Sequence, residues 1–282
     1  MFEWEINRRC IHIREVESEA EFHTVEEIQK EAWGFSDLDV VPMATLIATL
    51  HAGGMLLCAF EGERMIGFAY GFPAYEDGIV SVHSHMLAVR SEYRNLRAGF
   101  YLKLAQRRSA LERGISRITW TFDPLQSLNA NLNFARLGVI SNRYLVNFYG
   151  EASSSHLHQG LGTDRLWVMW LLDSDRVKER INRPSQPGSH LSSIDGLKLL
   201  VRNRDGMPEL ADLAGKLSED RCLIEIPQKI ASVKERDPAI AIAWREATRA
   251  AFLSALEQGF TVEDFFLSGE RPDYRCFYLL IK

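Results

Sequence analysis

Apolar and polar residues alternate over 11–16 (IHIREV), the pattern of a strand with one buried face. Ser18 then stands three before Glu21, a capping-box spacing, and Phe22, Val25, Ile28, Gln29 and Trp33 form a stripe that predicts a helix. Pro42 opens a second helix over roughly 42–51, closed by Gly53 and Gly54. MLLCAF and MIGFAYGF flank the polar EGER and predict a β-hairpin, and residues 79–89 a longer strand. Residues 95–113 read as a helix with Leu96, Phe100, Leu104 and Leu111 apolar and Gly114 as its stop. A strand at 115–122, a turn at Asp123–Pro124 and a short helix over 127–137, ended by Gly138, come next. Strands near 139–149 and 165–172 follow, separated by a loop rich in Ser, Gly and His.

The stretch 174–195 is polar, holds two prolines and a glycine, and reads as a linker. Beyond it are strands at 197–201 and 222–226. A helix then runs from Asp237 as N-cap and Pro238 through Leu256, closed by Gly259, with Ile240, Trp244, Ala247 and Ala251 on one stripe. Strands at 260–267 and 275–281 end the chain. This order predicts an α/β (α+β) fold: a mixed sheet with helices on both faces over 1–173, and a smaller α/β domain over 196–282. The β-α-β-β order of the second domain echoes the end of the first, as a decayed half-copy would. A length of 282 residues suits two domains.

Acidic residues number 38 and basic residues 33, a formal charge of −5 that does not favour a nucleic-acid partner. Cys10, Cys58, Cys222 and Cys276 are scattered with no CxxC pair, so neither a disulfide framework nor a zinc ribbon is expected. The first residues carry charges rather than an apolar signal, and no apolar run nears the ~20 residues of a membrane span. A cytoplasmic protein with no membrane partner is the expectation. Against the acidic total, residues 90–113 hold seven basic side chains (Arg90, Arg94, Arg97, Lys103, Arg107, Arg108, Arg113) and only Glu92 and Glu112. That charge sits where a strand, a loop and a helix start meet, and a helix N-terminus offers free N–H groups to phosphate. A solvated helix face is the plainer reading of the same charge.

His83 and His85 share one face of their strand, because strand side chains alternate. His83-Ser84-His85 and His156-Leu157-His158 are both HxH pairs, but no further ligand accompanies either, and no metal is expected. Asn129, Asn131 and Asn133 fall in the short helix, where they either mark a frayed start at Ser127 or reach a ligand. Asp164-Arg165 reads first as a structural ion pair. Trp120, Trp167 and Trp170 read as core, the last two facing opposite sides of a strand.

Leu87-Ala88-Val89 followed by Arg94-Asn95-Leu96-Arg97-Ala98-Gly99 resembles the strand and phosphate loop of the GNAT acyltransferase superfamily, Arg/Gln-x-x-Gly-x-Gly/Ala. Arg94 and Gly99 match, while Arg97 replaces the first glycine. An arginine there either lowers affinity or contacts phosphate with its side chain. Ser127, Ala130, Phe134 and Gly138 follow the spacing of the next family helix, with Phe134 where a tyrosine often protonates the departing CoA thiolate. Phenylalanine has no proton to give. Another group or water then does so, the acid is dispensable, or the site is inactive. LKLAQRR, TWTFDPL, NANLNF and TDRLWVMW are similar to a bacterial branch of the superfamily with a C-terminal extension.

The resemblance covers residues 11–172 and implies acetyl-CoA, or another acyl-CoA, lying between two splayed parallel strands, 79–89 and 115–122. It implies cofactor contacts from Leu87, Ala88, Val89, Arg94, Asn95, Leu96, Arg97, Ala98, Gly99 and Phe100, with Asn129, Asn131 and Phe134 beyond. An amine of a small metabolite would attack directly after losing a proton. His85, four before Val89, takes the position of a base-like glutamate, with His83 and Asp123 as further candidates. The alternatives are a degenerate acyl-CoA binder and a scaffold, and a homodimer is possible in any of these.

Overall fold

A computed structural model describes residues 2–6, 9–150, 160–183, 197–213, 215, 217, 219–269 and 274–282. His156 and His158 lie outside the described residues. The chain divides into two compact units, the first extending to Trp120 and the second starting at Thr121. The division falls inside a strand rather than in the polar stretch after residue 173. Among the described residues, no helix is long and apolar enough to cross a membrane.

The first unit contains β1 (Phe2–Ile6), β2 (Arg9–Glu15), α1 (Glu19–Trp33), α2 (Met43–His51), β3 (Met55–Glu61), β4 (Arg64–Glu76) and β5 (Ile79–Val89). A 3-10 turn over Ser91–Leu96, α3 (Ala98–Glu112) and the start of β6 (Arg117–Phe122) complete it. Its strands lie in sequence order, antiparallel except for the parallel β5–β6 pair. Ser18 caps α1 by accepting the Glu21 amide, and Val25, Ile28 and Gln29 of the predicted stripe are buried. Leu56, Cys58, Phe60, Phe68, Tyr70, Met86 and Ala88 pack under Val25, Ile28 and Leu46 on one sheet face. Ile11, Ile13, Leu57, Ala59, Ile66 and Ala69 pack against Leu102 and Ala105 on the other. Helices therefore cover both faces of a mixed sheet.

Three local features differ from the sequence expectation. β1 precedes the first expected strand and pairs with β2. The expected helix over 95–113 is split: a 3-10 turn ends at Leu96, Arg97 turns left-handed (φ 57°), and α3 starts at Ala98. Only the front of the Leu96-Phe100-Leu104-Leu111 set is buried: Leu96 and Phe100 are buried and Leu104 and Leu111 half-buried, while Ala98, Leu102, Lys103, Ala105, Gln106 and Ala110 complete the buried face. Small side chains let the helix lie close to the sheet, so the larger leucines at 104 and 111 sit at its margin.

The β4–β5 ladder carries one irregularity that matters for the site. Tyr70 pairs with Met86 and Gly71 with Ser84, which leaves His85 as the extra residue of a β-bulge. β4 crosses β5 closely here through glycine: a Cβ on Gly67 would stand 2.5 Å from the Ala88 carbonyl oxygen.

The second unit holds α4 (Ser127–Ala130), which widens into π-helical turns over Asn131–Leu137, then β7 (Ile140–Leu145), β8 (Arg165–Leu171) and α5 (Asp175–Asn182). β9 (Lys198–Arg204), β10 (Met207–Leu210), β11 (Arg221–Ile226), α6 (Ile230–Arg236), α7 (Pro238–Glu257), β12 (Thr261–Ser268) and β13 (Arg275–Ile281) follow. Its strands run in the order β8-β7-β12-β13-β11-β9-β10, with β7 joined to β12 at Ser141–Val262. α5 occupies the front of the stretch expected as linker. Ser174 caps it, Val177 is its one buried residue, and Arg176 and Arg180 pair with Glu263 and Asp264 of β12. A helix anchored by arginines rather than by an apolar stripe is hard to tell from a polar loop. Asp237 caps α7 through the Ala239 and Ile240 amides, and Trp244, Ala247 and Ala251 are buried, with Ile240 half-buried. Trp170 is buried on the face of β8 opposite the half-buried Trp167.

The Gly67 crossing yields a stability test. Gly67→Ala should lower the unfolding free energy by about 1–3 kcal/mol by forcing β4 off β5. Urea denaturation checks it, and an unchanged midpoint would show that the strands have room to move.

Candidate functional site

The β5–β6 ladder consists of Val82–Ile118 and His83–Thr119 and then ends. From Ser84 to Val89, β5 pairs with β4 alone, so the backbone groups on its other edge are free of a ladder partner. Buried backbone groups of this kind require some partner. Beyond Val89 the chain passes through the 3-10 turn into the front of α3. No side chain caps that helix, and the Arg97 carbonyl accepts the Phe100 and Tyr101 amides. Its first turn faces forward with the partial positive charge of a helix start.

Two residues shape this front. Arg97 holds the left-handed conformation that glycine adopts without cost, which gives a physical reason for glycine in the related loop. Its guanidinium lies 5.1 Å from the Phe100 ring centre and 5.9 Å from that of Tyr101. Gly99 has no positive φ, and an added Cβ would meet only Leu87 at 3.7 Å and Val89 at 3.9 Å. Nothing in the fold requires glycine at 99. Any such requirement comes from something that approaches the helix end.

The basic charge is more dispersed than the sequence suggests. Arg90 pairs with Glu31, Arg108 with Glu112, and Arg113 with Glu15 and the Gly53 and Gly54 carbonyls. Arg94 and Arg97 remain exposed around the helix front, Arg94 donating to the Val89 carbonyl at 3.4 Å. Leu96, Ala98 and Phe100 are buried, Leu87 and Val89 half-buried and Ala88 buried, so these contribute backbone rather than side chain to any ligand.

Across the bulge, His83 and His85 lie on the α1/α2 side of the sheet with ring centres 6.4 Å apart, near Phe72 at 5.4 and 5.7 Å. His83 is buried and shares a 3.1 Å hydrogen bond with the Thr119 hydroxyl. Burial, then the charges of His85 and Lys103, push its pKa down to about 4. His85 keeps an exposed edge, yet its aromatic surroundings desolvate it enough to lower its pKa as well. Both imidazoles are neutral at pH 7.

The α3 side of the same strand holds a group that the sequence marks only as one of seven basic side chains. Lys103 is 2% exposed. Its Nζ donates to Ser84 Oγ at 2.7 Å and stands 3.7 Å from the Trp120 ring centre. Ser84 Oγ in turn donates to Gln106 Oε1 at 2.9 Å, while Gln106 Nε2 is buried without a hydrogen-bond partner. Burial drives the Lys103 pKa down to about 7. The available signal was the Ala98-Leu102-Ala105 spacing, which places residues 103 and 106 beside a buried stripe.

Residues of the second unit are placed differently. Asp123 is buried against Arg245 of α7 at 2.7 Å and also accepts the Leu125 amide, so its carboxylate is held in a structural pair. Asp164 binds Arg249 and the Tyr144 hydroxyl, and Arg165 Nη1 donates to the Asp164 carbonyl. Phe134 has no exposed surface and packs on Phe122 and Tyr278. The hydroxyl of Tyr278 is committed to the Pro124 carbonyl. Asn129 is exposed, Asn131 is half-buried with its Oδ1 unpartnered, and Asn133 is buried.

Residues 14–139 match the sequence profile of the acetyltransferase (GNAT) family. That stretch is similar to a GNAT acetyltransferase domain. No curated protein matches it in sequence. The ribosomal-protein-S18-alanine N-acetyltransferase from Escherichia coli is similar at 14% identity and TM-score 0.47, over 58% of this chain and 95% of that one. An aminoglycoside 6'-acetyltransferase type Ii is similar at 18% identity and TM-score 0.43, over 58% and 98%. A GNAT family acetyltransferase from Elizabethkingia anophelis with acetyl-CoA bound is similar at 15% identity and TM-score 0.43, over 57% and 97%. The GNAT match takes in the bulged β5, the helix front and Lys103.

The Asp123–Arg245 pair sets the next test. Asp123→Ala should destabilise the second unit by about 3–5 kcal/mol, because it strands a buried guanidinium. Replacing Arg245 by Met in addition should restore part of that loss. Chemical denaturation of the single and double variants checks this, and a double variant no more stable than Asp123→Ala would refute it.

Proposed function

We propose that the GNAT domain binds an acyl-CoA along the open edge of β5 and transfers its acyl group to the amine of a small metabolite. The observation that carries this reading is the uncapped front of α3 with Gly99 beside it, continuous with the ladder-free edge from Val89 back to Ser84. The diphosphate would meet the Ala98 and Gly99 amides, with Arg94 and Arg97 flanking. From there to a thioester sulfur runs an arm of about twelve bonds, as long as four extended residues or ~14 Å. Ser84 to Val89 spans ~17 Å of strand. The acyl group would therefore rest near Ser84 and His85, where the ladder ends.

His85 is the group best suited to act as base, being neutral at pH 7 and partly open to solvent. It would take the amine's proton as nitrogen attacks the thioester carbonyl, and the carbon–sulfur bond then breaks to release thiolate. A second reading, an acyl-CoA binder without turnover, is favoured by Phe134, which has no proton and no exposed surface.

Calorimetry with acetyl-CoA and a thiol-release assay over an amine panel separate the readings. Binding with thiol release supports the transferase, binding alone supports the sensor, and no binding at millimolar acetyl-CoA refutes both. Gly99→Ala should weaken acetyl-CoA by tenfold or more with an unchanged melting temperature. An unaltered affinity would move the diphosphate elsewhere. As base, His85 must be unprotonated, so activity should fall as pH drops through its lowered pKa, below the usual ~6.5. His85→Ala should lose ~100-fold in rate together with that acid limb. Full transfer by this variant across pH 6 to 9 would exclude the assignment.

A further inference from the structure

We infer that Lys103 and Ser84 form the proton donor to the departing CoA thiolate. This rests on the acyltransferase reading above. The geometry is that of a lysine reaching from α3 to the point where β5 and β6 part: Nζ bridges Ser84 of β5 and the Trp120 ring of β6, one residue past the last ladder pair. The thioester is placed at the same level of β5 by the length of the pantetheine arm. The histidines serve the opposite face of the strand, where the amine would enter, so acid and base are separated by the strand itself.

The polar chemistry around Lys103 is incomplete in a way that suits an arriving anion. Among the described residues no carboxylate pairs with its ammonium. The neighbours are a hydroxyl, an amide oxygen, the Gln106 amide nitrogen without a partner, and an aromatic face. A buried cation without a counter-charge is costly, and a thiolate formed beside it would remove that cost. Across the strand, His83 is the titratable group of β5 that feels its charge. Arg107 is the nearest charged residue of α3 in sequence, and β6 presents Trp120, which does not titrate.

The step balances. As sulfur leaves with the bonding pair, Ser84 Oγ gives its proton to the thiolate and receives one from the Lys103 ammonium. Lys103 ends as a neutral amine and the products are the thiol and the amide. Solvent then restores the ammonium. The driving force has the right sign: an acid with a pKa of about 7 protonates a thiolate whose conjugate acid lies near ~8.5, whereas an ordinary lysine near ~10.4 would not.

The test is the pH dependence of thiol release by the full chain with acetyl-CoA and an accepted amine. Lys103 must be charged to act, so its contribution is present at low pH and is lost as pH rises through about 7. Lys103→Met should lose ~100-fold in kcat and the alkaline limb with it, with acetyl-CoA affinity by calorimetry within ~threefold of wild type. Lys103→Arg keeps a cation that does not release its proton in this range and should also lack the limb. Ser84→Ala, a smaller change for the core, should lower kcat ~10-fold and flatten the limb, and serves if Lys103→Met does not fold. A wild-type profile without that limb, or full kcat in Lys103→Met, overturns the inference and leaves the acyltransferase reading intact. Full recovery in Lys103→Arg would show a fixed charge rather than a proton donor and likewise overturns it. A wild type that binds acetyl-CoA but releases no thiol removes both.

Discussion

The first unit is organised by a place where backbone pairing stops. β5 and β6 run parallel and bond at Val82–Ile118 and His83–Thr119, then separate. The edge thus released is a row of peptide donors and acceptors at the heart of a well-packed sheet, and such groups are tolerated only where something else bonds to them. Helices on both faces hold the sheet rigid around the gap, through Val25, Ile28 and Leu46 on one side and Leu102 and Ala105 on the other. The close crossing at Gly67 and the bulge at His85 fix how the free edge is presented.

Much of this was legible in the chain itself. Ser18 with Glu21, the EGER hairpin turn, Gly138 and Asp237-Pro238 each mark an element boundary through local chemistry, and the structure has a boundary at each. Periodicity was less informative where packing distances are short. On α3 two of the four apolar residues, Leu104 and Leu111, stay half-buried, while alanines, a glutamine and a lysine join Phe100 and Leu102 on the inner face. The sequence of α5 resembles a linker because its anchors are arginines, and ion pairs leave no apolar rhythm. The bulge is a property of two strands in register and has no signature in one strand alone.

For the site, sequence located the strand, the loop and the histidines, and the structure supplied their environments. Arg97 is the clearest example: as a departure from a glycine pattern it was ambiguous, while its left-handed backbone shows what the glycine would have done there. Asp123 shows the reverse: a carboxylate at a strand end reads as a candidate base, while α7 holds Arg245 against it. Arg245 is 122 residues further along the chain, and no local pattern links such partners.

The two faces of β5 are not electrically independent. Ser84 faces α3 and His83 faces α1 and α2, but charge on Lys103 is felt at the imidazole. The strand resembles the thin insulator of a capacitor, with an ammonium on one plate opposing any cation on the other. Any cation brought against the histidines would meet that same field, which disfavours its charged form.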